Sequence, residues 1–299
     1  MIRKIFLSLV IIANLICAQG AGNSGLAFLK LGYGSRNIAL SDLGVVAGNE
    51  LNAVNYNPSI LTIIDKTQLT FSHSNLIEGT RSELFGAGFN VFGIPLAVMI
   101  NTTSIPDIEI RTRPGEAISK FDANYFAASL SGSLKVFNHF HSGITIKYLY
   151  ENLYTDEASG YAFDFGFTYT GIMDGLSLGV SLRNIGMMNQ LRETSTKLPK
   201  DLRLGASYIL LITDAKFSIS LLGGFQKYLD ADNSHLHLGT EINYDDFFFI
   251  RGGCISGYDA KNVTAGFGIK LKSLNLDYAY VPFKYGLGDN HIMTFIFTF

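Results

Sequence analysis

The sequence predicts an all-β protein: a transmembrane antiparallel barrel of about fourteen strands, with an N-terminal segment folded in or under its lumen. Three observations predict it. Apolar and polar residues alternate with period two over most of the 299 residues. Charged residues make up only 16% of the chain, against 47% hydrophobic residues, where a soluble domain carries about 25% charge. The connections between strands alternate between short and long, as in outer-membrane barrels.

The N-terminus reads MIRKIFLSLVIIANLICAQG. Arg3 and Lys4 form a basic start, Ile5 to Ile16 an apolar stretch, and Ala18 and Gly20 supply small residues for cleavage. Residues 1–20 are therefore expected to be a cleaved secretory signal peptide. Ile16 before Cys17 is a poor fit to a lipoprotein signal, so Cys17 is not expected to be acylated. The mature chain then retains Cys254 alone, which excludes an internal disulfide. Beyond the signal, no apolar run approaches the roughly 20 residues of a spanning helix, whereas a barrel strand needs only about 9–11.

Residues 21–66 form a separate segment. Leu26 to Leu61 lacks clean alternation and carries Gly32, Gly34, Gly44 and Gly48. Its glycines permit the close backbone approaches of a compact plug. Arg36 offers a fork of donors for carboxylates on an inner wall, and Asn57-Pro58 is expected to turn the chain into the first strand.

Residues 67–299 supply the strands, expected to start near 67, 83, 95, 121, 140, 160, 175, 200, 215, 234, 247, 262, 274 and 290. Tyr161, Phe163, Phe165, Phe167 and Tyr169 share one face, opposite Ala162, Asp164, Gly166, Thr168 and Thr170. The same contrast recurs along 176–183, 235–244, 263–271 and 274–280. The apolar faces are assigned to lipid. The faces rich in Gly, Ser and Thr, with isolated charges, are assigned to the lumen. Lys147, Glu151, Asp164, Arg183, Arg203, Glu241, Arg251, Lys270 and Asp277 all fall there, as a mutually paired lining. Longer polar linkers are expected at 75–82, 103–120, 152–159, 186–198, 228–233, 257–261 and 282–289, on the outer side. The chain closes on Met293, Phe295, Phe297 and Phe299 on one face. This resembles the terminal strand that the barrel-assembly machinery is thought to read.

The opening segment also carries a resemblance. Ala27-Phe28-Leu29-Lys30-Leu31-Gly32, Gly34-Ser35-Arg36-Asn37-Ile38-Ala39-Leu40, Gly44 with Ala47, and Asn55-Tyr56-Asn57-Pro58-Ser59-Ile60-Leu61 resemble the start of the PorV/PorQ family. Ser59-Ile60 stands where that family has Ala-Gly, and Leu40-Ser41 where it has Met-Gly. The resemblance implies a fourteen-stranded FadL-type barrel with an inward hatch. It also implies a place in type IX secretion, as a docking or shuttle component for secreted cargo or the surface attachment machinery. PorV-like and PorQ-like roles are not separable on these residues.

No GxSxG, HExxH or CxxC pattern is present, so no catalytic residues are assigned, and no cofactor. His139/His141 and His235/His237 pair on strand faces but lack further ligands at metal-site spacing. A net charge of −2 gives no electrostatic case for nucleic acid. Two functions follow. In the first, outer-loop residues Ile105, Ile108, Leu191, Tyr258 and Phe283, together with Ile110, hold a protein partner. In the second, the hatch gates import of a small hydrophobic molecule. The hatch and lumen residues that matter to either are Gly32, Gly34, Arg36, Asn57, Pro58, Asp164, Arg183, Glu241 and Asp277. Lipid of the outer membrane is the solvent in both.

Overall fold

The computed structural model describes residues 25–212, 216–231 and 234–299. The expected signal peptide, its cleavage site and Cys17 lie outside the described residues. Fourteen strands close into one antiparallel barrel: β1 (Gln68–Asn75), β2 (Arg81–Val91), β3 (Ile94–Ile110), β4 (Ser119–Phe137), β5 (Phe140–Leu153), β6 (Asp156–Tyr169), β7 (Leu176–Met188), β10 (Asp201–Ile212), β11 (Phe217–Tyr228), β12 (Ser234–Tyr244), β13 (Phe248–Ser256), β14 (Val263–Leu271), β15 (Leu274–Pro282) and β16 (Asp289–Thr298). Each pairs with its sequence neighbours, and β1 closes on β16 from Gln68 opposite Thr298 to Asn75 opposite His291. A small hairpin, β8 (Gln190–Leu191) and β9 (Thr194–Ser195), stands outside the barrel sheet between β7 and β10.

The facing follows the alternation. Along β6, Ala162, Asp164, Gly166 and Thr168 are buried, while Phe163, Phe165 and Phe167 are exposed. Glycine, serine and threonine face inward because the lumen is filled by another segment; leucine, isoleucine and phenylalanine face outward because the outer solvent is hydrocarbon. Phe92, Phe137, Tyr169, Phe247 and Phe299 are exposed at the short-turn end, Tyr154, Tyr161 and Tyr285 toward the other, as the two aromatic girdles of such barrels require.

Two expected linkers are strand instead. β3 and β4 continue past the barrel rim, so 103–120 contracts to 111–118. Ile105 and Ile108 lie on β3, on either side of a bulge, and not in a loop. Residues 152–159 contract to the turn Tyr154–Thr155 between β5 and β6. Cross-strand contacts hold these arms together, among them Phe121 with Tyr154 and Tyr148 with Tyr161. The rim therefore stands high over β3–β7 and steps down at β10.

Candidate functional site

Residues 26–64 fill the lumen and circle it. Short-range turns build this path: 3-10 turns at Ala27–Lys30, Leu51–Asn55 and Pro58–Ile63, and one α-helical turn, α1 (Ser35–Ala39). None has length enough for an independent helix, so packing against the wall supplies the stability. Leu26, Phe28 and Leu29 pack on Ala127, Leu149, Ala158, Ala162 and Met188 of β4–β7. Ile38 and Ala39 cross to Ala279, Val281 and Ile292 of β15 and β16. Leu40, Leu43, Val45 and Val46 meet Leu222 of β11. Leu51, Val54 and Leu61 reach Leu84, Ala97 and Met99 of β2 and β3.

Gly34 takes a left-handed φ of 76° with its α-carbon facing the Asn52 side chain, where a β-carbon would collide; only glycine fits both demands. Gly32 lies against Asp42 and Tyr56. Asn57-Pro58 does not turn the chain into β1. Asn57 caps a further turn instead: its Oδ1 accepts from the Ser59 amide and hydroxyl at 3.1 and 2.7 Å, and its Nδ2 donates to Val45 O and Thr168 Oγ1 at 3.0 and 3.1 Å. A proline at the first helical position is already preset for that turn. Pro58 and Ser59 lie directly on Gly143 and Gly166 of the wall, where any side chain would strike them.

Two charge groups tie the plug to the wall. In the first, the Arg36 guanidinium donates to both Glu241 carboxylate oxygens at 2.8 and 2.9 Å and to Ala47 O at 2.9 Å. Arg251 donates to Glu241 at 2.6 Å and also bonds Asp277. Among the acids expected on the lumen face, Glu241 is thus the one that takes Arg36. In the second group, Asp164 pairs with Lys147 at 2.5 Å and accepts from the Asn184 amide at a bulge between β6 and β7. Arg183 is 1% exposed and stacks over Tyr33 and Tyr56, and Asp201 receives Arg203 and Gln226 at 2.8 and 2.6 Å.

The plug divides the lumen into two spaces. A cavity of about 500 Å³ lies on the long-loop side. Its walls are mostly apolar: Phe28, Leu31, Ile38, Ile77, Ile105 and Phe283. Polar groups interrupt these walls: the Ser82 and Thr103 hydroxyls satisfy one another at 2.8 Å, Lys261 pairs with Asp42 at 3.6 Å, and Asp259 and Asn290 also line the space. Lys30 also lines it, with Nζ 5.2 Å from the Tyr228 ring and no salt bridge among the described residues. Burial pushes the Lys30 ammonium below its usual range. A smaller polar cleft of about 200 Å³ opens on the short-turn side, lined by Arg36, Asn49, Glu50, Ser207, Asn243 and Arg251 among others.

The five residues assigned to outer-loop contacts are all half-buried. Ile105, Tyr258 and Phe283 line the apolar cavity, and Leu191 packs on the cluster around Leu26 and Phe28. An apolar side chain at the rim of a barrel finds burial by turning inward. Tyr258 also stacks on His235 at 3.7 Å. The cavity itself was missed by sequence reasoning, because its lining comes from nine separate stretches of chain; only the moderately apolar loops, assigned to docking, hinted at it.

No protein family matches the sequence, and no curated protein matches it. Solved structures do match its fold. The CymD monoaromatic hydrocarbon channel aligns over 92% of this chain and 99% of its own, with a TM-score of 0.63 and 10% identity. The Pseudomonas putida toluene transporter TodX aligns over 89% and 96%, with 0.62 and 11%. A Pseudomonas aeruginosa FadL homologue aligns over 89% and 97%, with 0.52 and 12%. The chain therefore has the fold of FadL-type outer-membrane barrels.

Proposed function

We propose that the barrel admits a small, largely apolar molecule from outside the cell into the cavity above the hatch. The observation that carries this reading is the cavity: about 500 Å³, walled by Phe28, Leu31, Ile38, Ile77, Ile105 and Phe283, within the size of sites that enclose a drug-sized ligand. Three apolar residues of the outer rim, Ile105, Tyr258 and Phe283, line it. The fold supports the same reading, since it is shared with proteins named as hydrocarbon channels and a toluene transporter.

The docking or shuttle role implied by the PorV/PorQ resemblance is the second reading. It is supported by the opening motif, Leu26–Leu61, which is the part that forms the hatch, and by the tall β3–β7 rim. Its partners are secreted cargo or the attachment machinery.

The protein has no tryptophan, so Phe283→Trp places a single reporter in the cavity. In lipid nanodiscs, toluene or decane is expected to change its emission saturably, and Ile105→Arg in the same background is expected to abolish the change. No saturable response, together with co-purification of a secreted protein from native outer membranes, would instead favour docking.

A further inference from the structure

The charge group around Arg36 does not balance. Two guanidinium groups, Arg36 and Arg251, face three carboxylates: Glu241 on β12, Asp277 on β15 and Glu50 on the hatch. Glu241 holds both arginines, and Asp277 holds Arg251. Glu50 has only Arg36, at 3.8 Å, and that guanidinium is already committed to Glu241. Glu50 is 4% exposed and Asp277 6%. One oxygen of each, Glu50 Oε2 and Asp277 Oδ2, is buried without a hydrogen-bond partner. The remaining charges beside the cleft, Lys270 on β14 and Asp246 in the β12–β13 turn, pair with each other at 2.5 Å and contribute nothing.

Glu50 also has no freedom to swing into water. Gln68 at the start of β1 donates to Asn49 O at 3.1 Å and accepts from the Leu51 amide at 2.9 Å. The residues on both sides of Glu50 are thereby fixed to the wall. Three buried carboxylates facing two guanidinium groups leave one negative charge uncompensated, which favours the protonated form of the most weakly paired of them, Glu50.

We propose that this latch holds one exchangeable proton on Glu50, so that the hatch is clamped to the wall below neutral pH and loosened above it. The proton leaves to periplasmic water through the polar cleft, and the group is left with one uncompensated negative charge. Burial, then the neighbouring Asp277, pushes the Glu50 carboxyl from its usual 4.5 up to about 7. A raised acid pKa in the packed state means that the packed state binds the proton. The stabilisation is complete below 4.5 and is lost as the pH rises to about 7. The latch rests on hatch geometry and stands whatever the cavity binds.

Hydrogen exchange on the whole protein in lipid nanodiscs tests it. After correction for intrinsic rates, protection of residues 34–61 is expected to fall about tenfold or more between pH 5 and pH 8, with protection of β1–β16 unchanged. Glu50→Gln cannot ionise and is expected to keep the high, low-pH protection at every pH. Asp277→Asn leaves two acids for two arginines and is expected to move the loss of protection to lower pH. Infrared spectra of wild type minus Glu50→Gln should carry a protonated-carboxyl band at pH 6 that vanishes by pH 8. A flat wild-type response, a pH response retained in Glu50→Gln, or the absence of that band would each overturn the proposal.

Discussion

Arg36 shows what a single residue decides in this molecule. Its side chain is 11% exposed and bidentate on Glu241, which is 6% exposed. Removing one partner of such a pair leaves a buried charge, at a cost of about 3–5 kcal/mol. Arg36→Ala is therefore expected to raise hydrogen exchange throughout residues 32–61 while leaving the strands protected. Strand exchange rising equally would mean that the pair supports the barrel and not the plug. Arg36 was legible in the sequence as a donor fork in a glycine-rich segment, and Glu241 as one of four lumen acids. Nothing in the chain order selected Glu241 over Glu151, Asp164 or Asp277. The 205 residues between the partners are spanned only when β12 is brought opposite α1.

At the scale of the element, strand facing sets the outcome of substitution. Phe165 is exposed on β6, and Arg there is expected to cost about 2–4 kcal/mol near mid-membrane and to reduce the heat-resistant folded band on a gel. Thr168, three residues on, faces inward and is 2% exposed. Sequence alternation makes it look like a tolerant lumen site. In the structure its hydroxyl lies 3.1 Å from Asn57 Nδ2 and 2.7 Å from Ser59 Oγ. Thr168→Arg is thus expected to spare barrel insertion but expel the Pro58–Ile63 turn, read as new protease sensitivity around residue 60. Equal folding defects at both positions would contradict the facing. The strand starts expected from alternation lie within a few residues of those observed, the largest displacement being four, at β6. That strand begins early because its pairing with β5 continues to Leu153 opposite Asp156.

For the whole molecule, the governing feature is a lumen blocked by its own chain. Ions have no wide path past a plug packed against β1–β7 and β10–β16. Single barrels in planar bilayers are expected to show little conductance, and Gly166→Leu is expected to raise it severalfold by driving Asn57 and Pro58 off the wall. Gly132→Leu, on the lipid side of β4, should leave conductance low. High conductance in the wild type would mean that the plug does not seal.

By itself the sequence determined most of what depends on near neighbours along the chain, though not the Asn57-Pro58 turn or the reach of β3 to β6. Alternation sets strand facing, linker chemistry sets the turns, and glycine content marks the segment that must fit a crowded interior. Each of these is a short-range consequence of backbone geometry and solvent. The tertiary structure alone decided three things: which acid takes Arg36, where the rim apolar residues point, and that an apolar cavity and an unbalanced charge group exist. Those depend on contacts between residues as far apart as Phe28 and Phe283. Such contacts arise only when the barrel closes and the hatch is held within it.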